Sequence, residues 1–318
     1  MHARDAASPR GRFDPRLYQI AVLSGLLAYG LLRLHFDIGL PRIALTLGAV
    51  LTAQAVFGRL SGGAGGGPRS ALISGLSLCL LLRAGSPWTL ALAALLAIGS
   101  KFVIRVGGKH VFNPTNFGIV AALLLTRGAW VSPGQWGSAA FLAFLLACAG
   151  GLVVNRAGRS DVTLAFLAFH LAILFGRSLA LGEPLAIPLH RLQSGALLIF
   201  AFFMISDPRT TPSSRAGRVL FALLVALGAG YIQFRLFRTN GLLWSLAAVS
   251  PLTPILDRLL PGPRYEWRRP ASASSSAPKG AVHEPVDRTA LVVPPGARWR
   301  AAGAAAGPRL LRLLRRQG

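Results

Sequence analysis

LQSGALLIFAFFMISDPRTTP, residues 192–212, is an apolar segment that ends abruptly in a polar one. Its apolar part is shorter than the roughly 20 residues that a helix needs to cross the hydrocarbon core of a bilayer. SALISGLSLCLLLR, residues 70–83, is similarly short, and each segment carries a Ser-Gly pair near its start. Short apolar segments interrupted by glycine are typical of the broken helices of membrane transporters. If the chain lies in a membrane, the two segments therefore predict a pair of broken helices.

The composition of the whole chain indicates that the bilayer is its solvent. Of 318 residues, 53% are apolar and 14% are charged, and the mean hydropathy is +0.54, whereas about a quarter of the residues in soluble domains are charged. The 34 Lys and Arg residues lie between apolar runs and at both ends. We interpret them as topology signals that contact anionic lipid headgroups. Outside the C-terminal tail they lack the interleaved readers of a nucleic-acid interface, so nucleic acid is not an expected partner.

The hydropathy pattern predicts an all-α integral membrane protein with about ten transmembrane helices within residues 17–260. The two short segments are the third and eighth of these, which predicts a five-plus-five inverted repeat with broken third and eighth helices. A chance match of two dipeptides is the alternative. Residues 1–16 are expected to be a basic leader and residues 261–318 a disordered basic tail, both in the cytoplasm. The predicted spans are 17–35, 41–60, 70–83, 87–104, 114–127, 135–155, 162–178, 192–206, 217–236 and 240–257.

A first dense polar cluster, SKFVIRVGGKHVFNPTNFG, occupies residues 100–118 between two apolar segments. Asn113 is a good N-cap and Pro114 suits the first turn of a helix. The positive end of that helix would lie beside Lys109 and His110, which predicts a site for a phosphate or another anion. An ordinary basic loop that sets the topology explains the same residues equally well.

A second polar cluster, FFMISDPRTTPSSRAGR, occupies residues 202–218. Asp207 at the end of an apolar run is costly unless it is paired, and Arg209 or Arg218 is the expected partner. A salt bridge that only holds the loop is the simpler interpretation of this cluster.

Thr163 and His170 are seven residues apart, so a helix places them on one face about two turns apart. An ionisable residue within a span is a candidate for an ion pathway, and His170 is such a candidate. A neutral histidine that is hydrogen-bonded to a neighbouring helix is the alternative. The sequence has no P-loop, no Ser-His-Asp order and no His/Glu metal spacing, so we predict no catalytic residue and no metal site.

Two motifs resemble one known family. Phe203–Pro212 reads FMISDPRTTP and is followed by Gly217-Arg218, and Phe112-Asn113-Pro114 follows Gly107-Gly108. These motifs, in this order, are similar to those of the family that comprises the D-type subunit of the Rnf electron-transport complex and the B-type subunit of the sodium-pumping NADH:quinone reductase. The similarity covers about residues 16–260. The chain also resembles shorter stand-alone relatives, some of them associated with enediyne biosynthesis.

The resemblance implies an electron-transfer subunit of the bacterial inner membrane that binds a flavin, FMN, and works with other redox subunits in ion transport. A solute or ion channel or transporter of the same broken-helix architecture, without a redox role, is the rival hypothesis, and an assembly subunit is a third. The residues expected to bind the flavin are Thr163, Lys109, Asn113, Thr115, Asn116, Asp207, Thr210 and Thr211.

In the family, FMN is attached to the threonine of an Asp-x-x-Ser-Gly-Ala-Thr motif, which resembles Ala157–Thr163 of this chain. Here Ala157 replaces the leading aspartate, and Asp161-Val162 replaces Gly-Ala. A flavin bonded covalently to Thr163 and a flavin held without that bond therefore both stay open.

Overall fold

Helices dominate the part of the chain that the computed structural model describes, which comprises residues 14–62, 67–132, 136 and 140–265. The predicted leader up to residue 13 and the predicted tail from residue 266 lie outside the described residues, as does the start of the predicted span 135–155. The leader and the disordered tail therefore stay predictions.

Twelve α-helices follow one another within the described residues. Proline occupies one of the first two positions in many of them, where its missing N–H costs no hydrogen bond. The helices are α1 Pro15–Leu32, α2 Leu40–Leu60, α3 Pro68–Leu81, α4 Pro87–Val103, α5 Pro114–Leu125, α6 Ala140–Arg156, α7 Ser160–Leu181, α8 Ala186–Leu192, α9 Gly195–Ile199, α10 Arg215–Phe234, α11 Gly241–Val249 and α12 Thr253–Leu259.

Short irregular and extended elements join these helices. A π-helix, Phe200–Met204, continues α9, and a 3₁₀ turn, Ser250–Leu252, joins α11 to α12. Two small antiparallel sheets pair β1 with β4 and β2 with β3. The four strands are β1 Leu82–Ala84, β2 Arg105–Val106, β3 Lys109–His110 and β4 Ala129–Val131.

Three of the described helices, α2, α7 and α10, are long and apolar enough to cross a bilayer. A fourth candidate is the pair formed by α8 and by α9 with its π-helix, which is bent by 52° at the break between Leu192 and Gly195. The described residues of each predicted span coincide largely with helical structure, but most of the other helices are shorter than a membrane crossing requires. The ten spans and the inverted repeat therefore stay predictions.

Small residues let α4 and α5 pack closely. Ala93 and Ala97 of α4 are fully buried, and a Cβ atom added to Gly118 of α5 would lie 2.5 Å from the Ala93 carbonyl oxygen and 2.7 Å from the Ala97 Cβ. Close approach at small residues drives helix association in membranes, where apolar burial against lipid offers little gain. This contact positions the start of α5, which carries the first polar cluster.

We expect Gly118→Ala to destabilise the protein by about 1–3 kcal/mol, because the new methyl group overpacks the interface between α4 and α5. Gly48→Ala on α2 is the matched control, since its Cβ would meet no atom within 4 Å. The measurement is the thermal midpoint of the detergent-solubilised protein, followed by tryptophan fluorescence. Equal midpoints for the two variants would contradict the close packing.

Candidate functional site

The side chain of Asn113 joins the two polar clusters. Its Oδ1 accepts a hydrogen bond from the Asn116 backbone N–H at 3.0 Å and caps α5. Its Nδ2 donates to the Met204 carbonyl at 3.2 Å and to Asp207 Oδ2 at 3.5 Å. The start of α5 therefore lies against the end of the π-helix, and the two predicted clusters form one site.

Asp207 organises the second cluster through hydrogen bonds. Its Oδ1 accepts from the Arg209 backbone N–H at 3.0 Å, and its carbonyl oxygen accepts from the backbone N–H and the hydroxyl of Thr211. Burial raises the pKa of Asp207, while the N–H of Arg209 and the positive charges of Arg209 and Lys101 act in the opposite direction. These hydrogen bonds hold the loop, whereas the expected salt bridge of Asp207 is not among the ion pairs of the described residues.

Of the two arginines expected as partners of Asp207, Arg209 contacts it through its backbone N–H and Arg218 pairs with Asp161 instead. Arg218 Nε lies 2.8 Å from Asp161 Oδ2, and its Nη1 donates to the Ser213 carbonyl at 2.6 Å. Arg209 contributes its backbone N–H and forms no ion pair with Asp207 in the described structure. Arg218 pairs with Asp161 because the start of α7, which carries Asp161, packs beside the start of α10, which carries Arg218.

Lys109 is held by an acidic residue that the sequence analysis did not single out. Its Nζ lies 2.8 Å from Asp257 Oδ2 and 3.2 Å from Ser213 Oγ, and Asp257 Oδ1 accepts from the Ser213 N–H at 2.7 Å. Gly107 and Gly108 have φ of 58° and 80°, which suits the two-residue turn between β2 and β3 that positions Lys109. The position of Asp257, an acidic residue near the end of the last apolar segment, could have indicated a partner for a basic residue.

Three other predicted flavin-binding residues form hydrogen bonds within the protein. Thr115 Oγ1 donates to the Ser74 carbonyl at 3.5 Å, and Asn116 Nδ2 donates to the Leu243 carbonyl at 3.2 Å. The Thr210 carbonyl accepts from Thr253 Oγ1 at 3.2 Å. These contacts tie α5 to α3 and α11, and the second cluster to α12. Binding of a cofactor by these residues stays a prediction.

Thr163 does not fit a phosphoester-linked flavin. Its side chain is 1% exposed, and its hydroxyl donates to the Ala201 carbonyl at 2.8 Å. A phosphoester at this oxygen needs open space beside it, and the carbonyl of the π-helix fills that space. The nearby Asp161 is also engaged by Arg218. The residue whose flavin-attachment motif is altered in the sequence is therefore also a residue whose hydroxyl has no open space beside it.

A small polar cavity of about 80 Å³ lies between the two clusters. His110 lines it and is 5% exposed, and its Nδ1 has no hydrogen-bond partner among the described residues. Burial, together with the charges of Arg209, Lys101 and Arg105, lowers the pKa of His110 to about 3, so this residue is neutral at physiological pH. Pockets for drug-sized ligands have volumes of roughly 300–1,000 Å³, so this cavity is too small for a flavin.

A larger groove, which we call the basic groove, runs between residues 106–109, residues 208–213 and residues 254–265. Its volume is about 520 Å³. Four basic side chains and one acidic side chain line it, together with an aromatic ring: Lys109, Arg209, Arg258, Arg264, Asp257 and Tyr265. Among the described residues, only Lys109 of these cations has an acidic partner within salt-bridge distance. The groove is therefore electropositive and large enough for a nucleotide-sized ligand.

Arg159 lies beside the basic groove and contacts its aromatic ring from within the protein. Its guanidinium carbon is 4.9 Å from the centroid of the Tyr265 ring. The residue is 6% exposed, and its buried Nε has no acceptor in the part of the chain that the structure describes. A buried Nε without an acceptor is costly, so this nitrogen of Arg159 is a candidate for interaction with a group outside the described residues.

His170 lies in a different part of the molecule. It belongs to the same helix as Thr163 and both are buried, but it lines a separate cavity with Arg191. The structure thus does not bring His170 to the site of the two clusters. Within the described residues, no group of three His, Cys, Asp or Glu side chains could hold a metal ion.

Comparison with known proteins gives a consistent result. Residues 125–265 match the model of the NQR2, RnfD, RnfE family. The D-type subunit of the ion-translocating oxidoreductase complex of Stutzerimonas stutzeri is 27% identical over 270 residues, covering 60% of this chain and 73% of that protein. Its counterpart from Cellvibrio japonicus is 28% identical over 165 residues, or 49% and 44% of the two chains. The D-type subunit of the proton-translocating ferredoxin:NAD(+) oxidoreductase complex of Clostridium ljungdahlii is 28% identical over 82 residues, or 26% and 25%.

The apolar helices and these bacterial relatives define a multi-pass helical membrane protein. The matched region includes the second polar cluster, and the first cluster carries the other family motif. In residues 125–265 the chain therefore resembles the NQR2, RnfD, RnfE family.

The burial of neutral His110 predicts a pH-dependent stability. Its pKa is about 3 in the folded state and about 6.5 in the unfolded state, so below pH 6.5 the unfolded state takes up a proton that the folded state does not. Stability should therefore fall by about 1.4 kcal/mol per pH unit between about pH 6 and pH 4. His110→Gln should remove this component.

Thermal midpoints of the solubilised protein between pH 7.5 and pH 4.5 measure the effect. His190→Gln is the control, because His190 is exposed and its substitution should leave the pH profile unchanged. A parallel profile for His110→Gln and the unmodified protein would show that His110 does not carry the dependence.

Proposed function

We propose that this chain is a membrane electron-transfer subunit of an ion-translocating oxidoreductase complex. The names of its bacterial relatives support a complex of this kind, and so do the two family motifs at the junction of the polar clusters. Under this proposal, other redox subunits contact the chain in a bacterial inner membrane, and both of its termini lie in the cytoplasm.

The cofactor that we propose is FMN or another flavin, held in the basic groove without a covalent bond. The observation that carries this proposal is Arg159, a buried guanidinium that stacks on Tyr265 at the groove and has no acceptor at Nε among the described residues. A phosphate in the groove would be attracted by the cations that line it and by the positive charge of Arg159 behind Tyr265. The groove volume of about 520 Å³ suits a ligand of this size.

The protein would contribute positioning and electrostatics to such a cofactor. A bound flavin supplies one- and two-electron transfer, and its potential depends on the surrounding charge. Arg209, Arg258 and Arg264 form no ion pair within the described residues, so their charge acts on whatever occupies the groove. Lys109 is fixed by Asp257 and Ser213, so its ammonium group keeps a defined position.

A solute or ion channel of the same architecture is the rival function, and the cavity that His170 lines is the feature that favours it. A channel or transporter would need no flavin. It would also give no role to the basic groove or to Arg159. An assembly subunit would need neither feature. The presence of a bound flavin in the purified protein therefore separates these functions.

We expect the detergent-solubilised protein to be yellow and to release its colour on denaturation, with no fluorescent band on a denaturing gel. Arg159→Gln should weaken flavin binding about 10-fold, because it removes a positive charge beside the groove and the stacking partner of Tyr265. The same variant should unfold at the same or a higher temperature, since it removes a buried charge that lacks an acceptor at Nε within the described structure. Flavin titration and thermal unfolding measure the two effects.

Two further variants complete the test. Thr163→Val should keep its flavin, because the hydroxyl is engaged by Ala201 and carries no phosphoester. Arg127→Gln is the charge-matched control, because Arg127 is exposed and does not line the groove. A colourless protein that transports a solute would overturn the redox function, and a fluorescent band that Thr163→Val abolishes would overturn non-covalent binding.

A further inference from the structure

We propose that the cavity around His170 and Arg191 is a second binding site, which takes a small amphipathic anion: a carboxylate or phosphate carried on an apolar body. The cavity has a volume of about 310 Å³. This site does not depend on flavin binding, because none of the described residues that line the basic groove lines this cavity.

The position of the cavity separates it from the basic groove. It is lined by Gln233 near the end of α10, whereas Arg218 near the start of α10 belongs to the site of the polar clusters. The stretch of helix between these two residues is roughly 22 Å long at a rise of about 1.5 Å per residue. The two sites therefore lie near opposite ends of α10.

Two residues that line this cavity each have a buried polar atom without a partner among the described residues. His170 is 4% exposed, and its Nδ1 forms no hydrogen bond there, although its ring stacks on Phe166 at 5.4 Å. Arg191 has a buried Nη1 without an acceptor in the described structure, and its guanidinium lies over the Phe234 ring at 5.3 Å. Unsatisfied polar groups in a buried place are rare in folded proteins, so a ligand that supplies the missing partners is the simplest explanation for the pair.

The charge of the cavity selects an anion. Arg191 and Arg238 both line it, and no acidic side chain is among the described residues that do so. The nearby Glu183 is already engaged, because its carboxylate accepts hydrogen bonds from Arg177 and Ser178. The positive charge of Arg191 is therefore left for a ligand.

The remaining lining selects an apolar body. Most of the walls are aliphatic and aromatic, and they reach from α3 and α7 to the π-helix and α11: Leu81, Leu174, Leu197, Phe200, Met204 and Leu243. Apolar walls with a few convergent polar groups are the usual composition of a small-molecule site. A small inorganic anion would leave these walls uncovered, and a two-chain phospholipid is larger than the cavity, so we assign the site to a compact amphipathic anion.

Radiolabelled decanoate is the probe, bound to the full-length detergent-solubilised protein on scintillation beads. We expect saturable binding that unlabelled decanoate displaces and that decanol and inorganic phosphate do not displace at equal concentration. Arg191→Gln should weaken the binding about 10- to 100-fold, because it removes a charged hydrogen bond. Arg235→Gln should change nothing, since Arg235 is exposed at the end of α10 and does not line the cavity.

A second variant protects the test against misfolding. Leu174→Trp should fill the cavity and abolish binding without changing any charge. The absence of saturable binding by the unmodified protein would overturn the proposal, and so would equal binding by Arg191→Gln. Equal displacement by decanol would overturn it by showing that the site does not recognise charge, and equal displacement by phosphate would overturn it in favour of a small-anion site. The flavin content of the same preparation tests the basic groove separately.

Discussion

The carboxamide of Asn113 determines where the polar parts of this membrane protein lie. Its oxygen caps α5 while its nitrogen reaches the Met204 carbonyl at the end of the π-helix and the carboxylate of Asp207. Within a bilayer, a helix end and a broken helix both expose backbone groups that water cannot satisfy. The Asn113 side chain forms hydrogen bonds with backbone groups at both helix ends. It therefore holds together two loops that are far apart in the chain.

The charges around this junction are then distributed unevenly. Each of three carboxylates already has partners within the protein. Asp161 forms an ion pair with Arg218, Asp257 forms one with Lys109, and Asp207 accepts a hydrogen bond from its own loop. The remaining arginines of the basic groove have no acid to bind within the described residues. Because cations that repel each other cost stability, their accumulation is better explained by an anionic ligand than by folding. The same argument, applied to Arg191 at the other end of α10, leads to a second anionic ligand.

Some sequence predictions succeeded and others failed for identifiable reasons. The helix start at Asn113-Pro114 follows from local capping rules and is present. Whether Arg209 or Arg218 contacts Asp207 could not be read from the sequence, since only the packing of α7 against α10 brings Asp161 to Arg218. Asp257 was overlooked because its partner, Lys109, lies 148 residues away in the chain. Thr163 carries the threonine of the family motif, but the carbonyl that closes its environment belongs to the π-helix.

The sequence by itself determined that this chain resides in a membrane, that a helix begins at Pro114, and which family its motifs resemble, because hydropathy, caps and motifs are local properties. Only the tertiary structure decided which charges pair, that Arg159 stacks on Tyr265, and that His170 and Arg191 share a cavity. Apolar residues in a membrane protein face lipid and neighbouring helices alike, so their periodicity does not show which side of a helix is packed. The lateral arrangement of the helices, and with it both candidate sites, depends on close contacts such as Gly118 against Ala93.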